Sequence, residues 1–270
     1  MKTCINGAST MPYALEEDLR SAAAAGFEGV ELWTAKVETY LKSHGVEDLD
    51  GTLRELGLAA EALCPYGLVS FGENAEENVA KIEEAAKLAE GLSCPILLVC
   101  PDVPPSDMGE VAAIKQAGAM ARKLGKICAD HNASIAIEPL GRHPFVPGPK
   151  EALRIVEEAD HANVQIMMDT FHYYKSDVPI SDITAIPIER LAIVHINDCE
   201  DLPKAQLTDG HRLWPGEGVI PLREMIGAIR DNGYEGALSV EIFRKAYWEK
   251  DVNWIARNAK KSLDAFLASL

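Results

Sequence analysis

Short apolar runs alternate with longer helical stretches eight times along these 270 residues, and this alternation constrains the fold more than any other feature. The runs are TCINGA (3–8), VELW with its preceding glycine (29–33), AAEALC (59–64), PILLVC (95–100), SIAIEPL (134–140), VQIMMD (164–169), LAIVHI (191–196) and ALSVEIF (237–243). Helical patterning is expected over 14–25, 36–57 with a break near Gly45, 74–91, 108–130, 149–159, 180–189, 221–231 and 251–269. Gly26 and Gly57 stand where helices stop, and Asn74 where one starts. Runs that are apolar on both faces suit strands buried on both sides. Repeated βα units demand a parallel sheet with right-handed crossovers. Eight of them favour an α/β fold closed into a single (β/α)₈ TIM barrel over 1–270, close to the ~250 residues usual for that fold. An open doubly wound sheet is the alternative, but no G-x-G-x-x-G follows the first run.

The net charge of −16 repels phosphate backbones and anionic lipid, so the expected partner is a small molecule, not nucleic acid or membrane. The opening MKTCINGAST has no apolar leader segment, and no apolar stretch approaches a membrane span. Six scattered cysteines without a C-x-x-C suit reduced, mostly buried thiols and a cytoplasmic setting. A homo-oligomer is compatible with all of this.

Four strands break the apolar rule near their C-terminal ends: Glu138 in IAIEPL, Asp169 in IMMDTFH, His195 in AIVHIND and Glu241 in LSVEIF. A TIM barrel builds its active site at that end. Four ionisable groups from four successive strands therefore converge on one side of the mouth. Three carboxylates together repel strongly, and one histidine does not balance them. A single divalent cation does. Three oxygen donors and one nitrogen suit Mn²⁺, Co²⁺, Mg²⁺ or Zn²⁺, with the need for open coordination positions favouring Mn²⁺. The alternative is four separately satisfied core polar groups.

The strings IEPL, MMDTFH, VHINDCED, HRLWPGEG and SVEIFR resemble the xylose isomerase-like TIM-barrel superfamily of sugar isomerases and epimerases, and within it the inosose (2-keto-myo-inositol) isomerases of inositol catabolism. The resemblance spans almost the whole chain and is strongest over 134–244. It implies a one-metal site of Glu138, Asp169, His195 and Glu241, with Glu138 and Glu241 doubling as catalytic acid and base. It also implies substrate contacts from His172 and Arg212. The chemistry expected is isomerisation or epimerisation of a small polyhydroxy ketone, a keto-sugar or cyclitol. The metal acts as a Lewis acid, and a carboxylate moves a proton through an enediolate.

Two positions depart from relatives. Ketohexose 3-epimerases carry a substrate-binding carboxylate where this chain has Pro144, which leans toward a cyclic ketone. Trp33 stands where inosose isomerases carry a basic residue; it is expected either to stack on a sugar or cyclitol ring or to pack at the barrel rim. The polar segment from Asn197 to Gly218 reads as a substrate wall, with solvated surface the alternative for Asp209 and Glu217. Rival functions are a 3-keto-glycoside lyase using the same metal and glutamate base, a ketohexose 3-epimerase, an endonuclease IV-type nuclease and a non-catalytic sugar-binding barrel. The nuclease is disfavoured by charge and by the lack of histidines after the second and third runs.

Overall fold

The structure, a computed structural model describing all of residues 1–270, closes eight parallel strands into a barrel. In chain order they are β1 (Lys2–Asn6), β2 (Gly29–Trp33), β3 (Ala59–Leu68), β4 (Ile96–Pro101), β5 (Ser134–Ile137), β6 (Val164–Asp169), β7 (Leu191–Ile196) and β8 (Ala237–Val240). Hydrogen bonds run round the ring in order, and β1 pairs with β8 to close it.

Side chains alternate across each strand. One set, including Cys4, Ala62, Leu98, Ala136, Met167 and Ile193, packs together as a small cluster filling the barrel. The other set, including Ile5, Val30, Leu63, Leu97 and Val194, joins the main core beneath the surrounding helices. Both faces are thus buried, which is why the strands read as apolar runs. No helix is long and apolar enough to cross a membrane.

Several boundaries differ from the sequence reading. β1 ends at Asn6 because the Asn6 Oδ1 accepts the Ala8 N–H and starts a 3₁₀ turn, Gly7–Thr10. β5 and β8 stop one residue before Glu138 and Glu241, leaving these residues at the rim. The stretch 36–57 breaks at Gly45 as expected, into Thr34–Tyr40 and Val46–Leu56, with its start two residues earlier. Asn74 makes no side-chain cap bond to the helix Ala75–Gly91. The expected helix 180–189 is only Ile180–Thr184 and a 3₁₀ turn, Ile188–Arg190; Pro187 between them has no N–H to continue it.

The helix Thr170–Lys175 was absent from the sequence reading. It starts because the Asp169 Oδ1 accepts the N–H groups of Phe171 and His172. After β7, Asp198–Cys199 pairs antiparallel with Arg212–Leu213, and this ribbon swings Arg212 over the barrel mouth. Asp198 fixes the ribbon by accepting N–H groups from Cys199, Gly216, Gly218 and Ile220. A Cβ at position 218 would lie 2.1 Å from the Cys199 carbonyl oxygen, so only glycine fits there.

A buried ion pair locks the loops above β1 and β2. The Lys36 ammonium donates to the Asp18 carboxylate at 2.6 Å and to the Thr10 carbonyl at 2.8 Å. Burial pushes Asp18 up to about 7, although Lys36 opposes the rise. That value lies above the ordinary 3.8, so folding takes up a proton at Asp18. Its contribution to stability is full below the ordinary value and is lost as pH rises through about 7. Asp18→Asn carries no such proton. The stability difference, wild type minus Asp18→Asn, is therefore expected to fall between about pH 4 and about pH 7 in denaturant unfolding. A difference that stays constant or rises would show that Asp18 does not titrate in this way.

Candidate metal centre

Parallel register sets the centre. Asp169 on β6 lies beside His195 on β7, and His195 lies beside Ser239 on β8. Glu138 and Glu241 follow β5 and β8 directly, so the four expected residues form a row with a glutamate at each end. One ligand atom from each of Glu138, Asp169, His195 and Glu241 falls within 4.8 Å of all the others, and all four residues are buried.

The His195 Nδ1 sits at the focus of the row. It lies 3.2 Å from Glu241 Oε2 and 3.6 Å from both Glu138 Oε1 and Asp169 Oδ2. It has no hydrogen-bond partner although it is fully buried. An orphaned buried nitrogen facing three carboxylate oxygens is what a cation site requires. Burial disfavours a charged imidazole, yet Glu241 and Glu31 outweigh it and push His195 well above its ordinary value. The cluster thus draws positive charge. Either a proton on His195 or a cation bound to it meets that demand.

Glu31, which the sequence reading passed over, explains why Nδ1 is bare. Its two oxygens lie 3.0 and 2.9 Å from the other imidazole nitrogen, Nε2. The Ser239 hydroxyl donates to Glu31 Oε2 at 2.8 Å. Burial raises the Glu31 carboxyl, but His195, Ser239 and Asn6 overcome this and leave it below the usual range. An ionised Glu31 keeps the ring proton on Nε2 and leaves Nδ1 as a lone pair, the form that binds a metal.

Arg212 flanks the row, fully buried. Its Nη1 donates to Asp169 Oδ2 and Glu241 Oε2, both at 2.8 Å, and its Nη2 donates to Asp209 at 2.7 Å. Burial alone would raise Asp169; Arg212, His172 and His195 hold it well below the usual carboxylate range. Glu241 stays above its ordinary value because burial outweighs His195 and Arg212. Asp209 is half-exposed but engaged with Arg212, so it is not merely a solvated residue.

His172 Nε2 accepts from Arg212 Nη2 at 3.3 Å and lies 3.8 Å from Glu138 Oε1. Trp33, half-buried at the end of β2, meets Phe243 edge-to-face at 5.9 Å, and Phe243 lies 5.4 Å from the Arg212 guanidinium. All seven site residues expected from sequence therefore surround the mouth. Cys100 also reaches it, lying 3.5 Å from Glu138 Oε2; burial and Glu138 push its thiol well up.

A separate cavity of about 680 Å³ runs between the helices Leu222–Asp231 and Val252–Leu267. It holds none of the four clustered residues, and its mixed basic and acidic lining offers no comparable focus.

Comparison with known proteins identifies the family. Residues 19–258 match the family model described as xylose isomerase-like TIM barrel. The inosose isomerase of Halalkalibacterium halodurans is 30% identical over 268 residues, covering 96% of this chain and 94% of the relative. That of Bacillus subtilis is 28% identical, with 97% and 96% covered. A crystal structure of the IolI protein with a bound zinc atom superposes with a TM-score of 0.92 at 27% identity, covering 100% of this chain and 99% of that one. A 3-dehydroshikimate dehydratase of Pseudomonas aeruginosa is 28% identical over 86% of this chain, which spans only 37% of that relative.

Glu31→Gln gives a direct test of how the centre is held. An amide does not bias the imidazole proton as a carboxylate does, and loss of such outer partners commonly costs 10–100-fold in metal affinity. The expected outcome is a fall in Zn²⁺ or Mn²⁺ affinity of about that size, read by calorimetry, with the fold intact by circular dichroism. Unchanged affinity would mean that Glu31 does not orient His195.

Proposed function

The chain belongs to the xylose isomerase-like TIM-barrel family, and from that membership we propose that it is an isomerase or epimerase of a small polyhydroxy ketone, with inosose the best-fitting substrate. The observation that carries this reading is the unpartnered His195 Nδ1 aimed at oxygens of Glu138, Asp169 and Glu241. Support for the substrate comes from inosose isomerases that align over nearly the full length of both chains.

Glu138, Asp169, His195 and Glu241 are the residues that would hold one divalent ion, Mn²⁺, Co²⁺, Mg²⁺ or Zn²⁺. When bound, it supplies Lewis acidity to the adjacent carbonyl and hydroxyl oxygens of the substrate. The chain's own residues move the proton. Glu138 and Glu241 stand at opposite ends of the row, so a carbon held between them has a carboxylate on either side. One of them takes the proton from the carbon next to the carbonyl. Return of that proton to the neighbouring carbon shifts the carbonyl, which is isomerisation. Return to the same carbon from the opposite side inverts it, which is epimerisation.

The other residues serve these two glutamates. Arg212 holds Glu241 and Asp169 in place through paired 2.8 Å bonds. His172, beside both Arg212 and Glu138, is placed to contact a substrate hydroxyl. Trp33 and Phe243 supply an aromatic wall suited to the C–H face of a ring.

Incubation of metal-loaded protein with 2-keto-myo-inositol, ketohexoses and a 3-keto-glucoside in D₂O, followed by NMR, tests the reading. The expected result is an isomeric ketone carrying deuterium beside the carbonyl. An unsaturated ketone or a released aglycone would replace isomerisation by elimination. Product without deuterium, whatever the metal, would replace proton transfer by a hydride shift.

Glu241→Gln is expected to lower turnover by at least about a hundredfold, the lower range for loss of a general acid or base. Bound metal should remain measurable, because three ligands persist. Full activity after exhaustive chelation would remove the metal from the reaction altogether.

A further inference from the structure

Glu138 is asymmetric in a way that the metal row does not explain. Its Oε1 faces the other ligands, 3.6 Å from His195 Nδ1 and 3.8 Å from His172 Nε2. Its Oε2 points the other way and accepts from the Cys100 thiol at 3.5 Å. No other hydrogen bond reaches this carboxylate, although the residue is buried. Cys100 ends the inward-facing series Ile96, Leu98, Cys100 on β4 and is half-exposed at the mouth, whereas the residues below it are sealed. The register of β4 and β5 pairs Val99 with Ile137, so Cys100 and Glu138 are the next residues along on adjacent strands.

We propose that Cys100 is a positioning residue for the proton-transfer carboxylate: its thiol holds Glu138 Oε2 on the β4 side, while Oε1 faces His195. The division of labour follows from the geometry. An oxygen shared with a dication is a poor base, so Oε2 is the atom that exchanges a proton with substrate. Without a neighbour on that side, nothing would fix the rotation of the carboxylate or keep Oε2 apart from the atoms that would hold a cation. A thiol is a weak donor. It therefore orients Oε2 without binding it so strongly that substrate fails to displace it. The proposal rests on the isomerase reading of the same site.

Two measurements test it, one of which needs no substrate. The S–H stretch of Cys100, isolated as the infrared difference between wild type and Cys100→Ser, is expected to shift to higher frequency in Glu138→Gln, where the acceptor loses its charge. Glu138→Ala should shift it further and serves if the glutamine variant misfolds. A band that does not move in either variant overturns the contact.

In turnover, Cys100→Ala is expected to lower kcat by about five- to tenfold, the worth of one weak-donor hydrogen bond, with KM nearly unchanged. Cys100→Ser, which keeps a donor, should recover most of that loss. If alanine leaves kcat intact, or if serine and alanine are equally impaired, Cys100 does not position the base. A wild-type protein inactive on every ketone tried would overturn the isomerase reading instead, and the infrared result would still decide whether the thiol holds Glu138.

Discussion

The convergence of buried acids on one imidazole nitrogen is the constraint that the rest of the molecule accommodates. Glu31, Glu138, Asp169 and Glu241 all lie inside an otherwise apolar barrel, and each ionised carboxylate there is costly unless neutralised. Arg212 is the one fixed cation among them, and it already serves Asp169, Glu241 and Asp209. His195 meets the remaining acids on both sides: Glu31 at Nε2 and the row at Nδ1. Removing the Asp198 anchor would release the ribbon that presents Arg212, so a loop outside the barrel is tied to the electrostatics within it.

The architecture was legible because each βα unit announces itself locally. Runs such as PILLVC and VQIMMD are apolar at every position, and the intervening stretches carry helical periodicity. Glu138, Asp169, His195 and Glu241 stood out for the same reason, each an ionisable residue at the end of an apolar run. Glu31 did not. In VELW it reads as one polar residue between apolar neighbours, as in any half-exposed strand, and only barrel closure turns it inward toward His195.

Other boundaries were hidden because side chains, not periodicity, decide them. Asn6 and Asp169 each end a strand by accepting the next backbone N–H groups. Asp169 does so while its other oxygen faces Arg212 and His195, so one residue starts a helix and lines the centre at once. No window of hydrophobicity contains that information. The same holds for the stretch 180–189, where Pro187 interrupts a pattern that looks helical from its apolar spacing.

The barrel mouth is chemically divided, and the division follows the strand order. Glu138, Asp169, His195 and Glu241 come from the ends of β5 to β8, while β1 to β4 contribute Asn6, Trp33, Cys64 and Cys100 near their C-terminal ends and Glu31 behind His195. If the proposed polyol substrate binds here, most partners for its oxygens lie on one side, and the opposite wall offers mainly aromatic and sulfur surface. Such a ring would be oriented by this contrast, its oxygens toward the charged half and its C–H edge toward the apolar half. Glu138 stands where the two halves meet, with one oxygen toward His195 and the other toward Cys100. On the proposed reading, that border position lets one carboxylate face both the ligand set and the apolar half of the mouth.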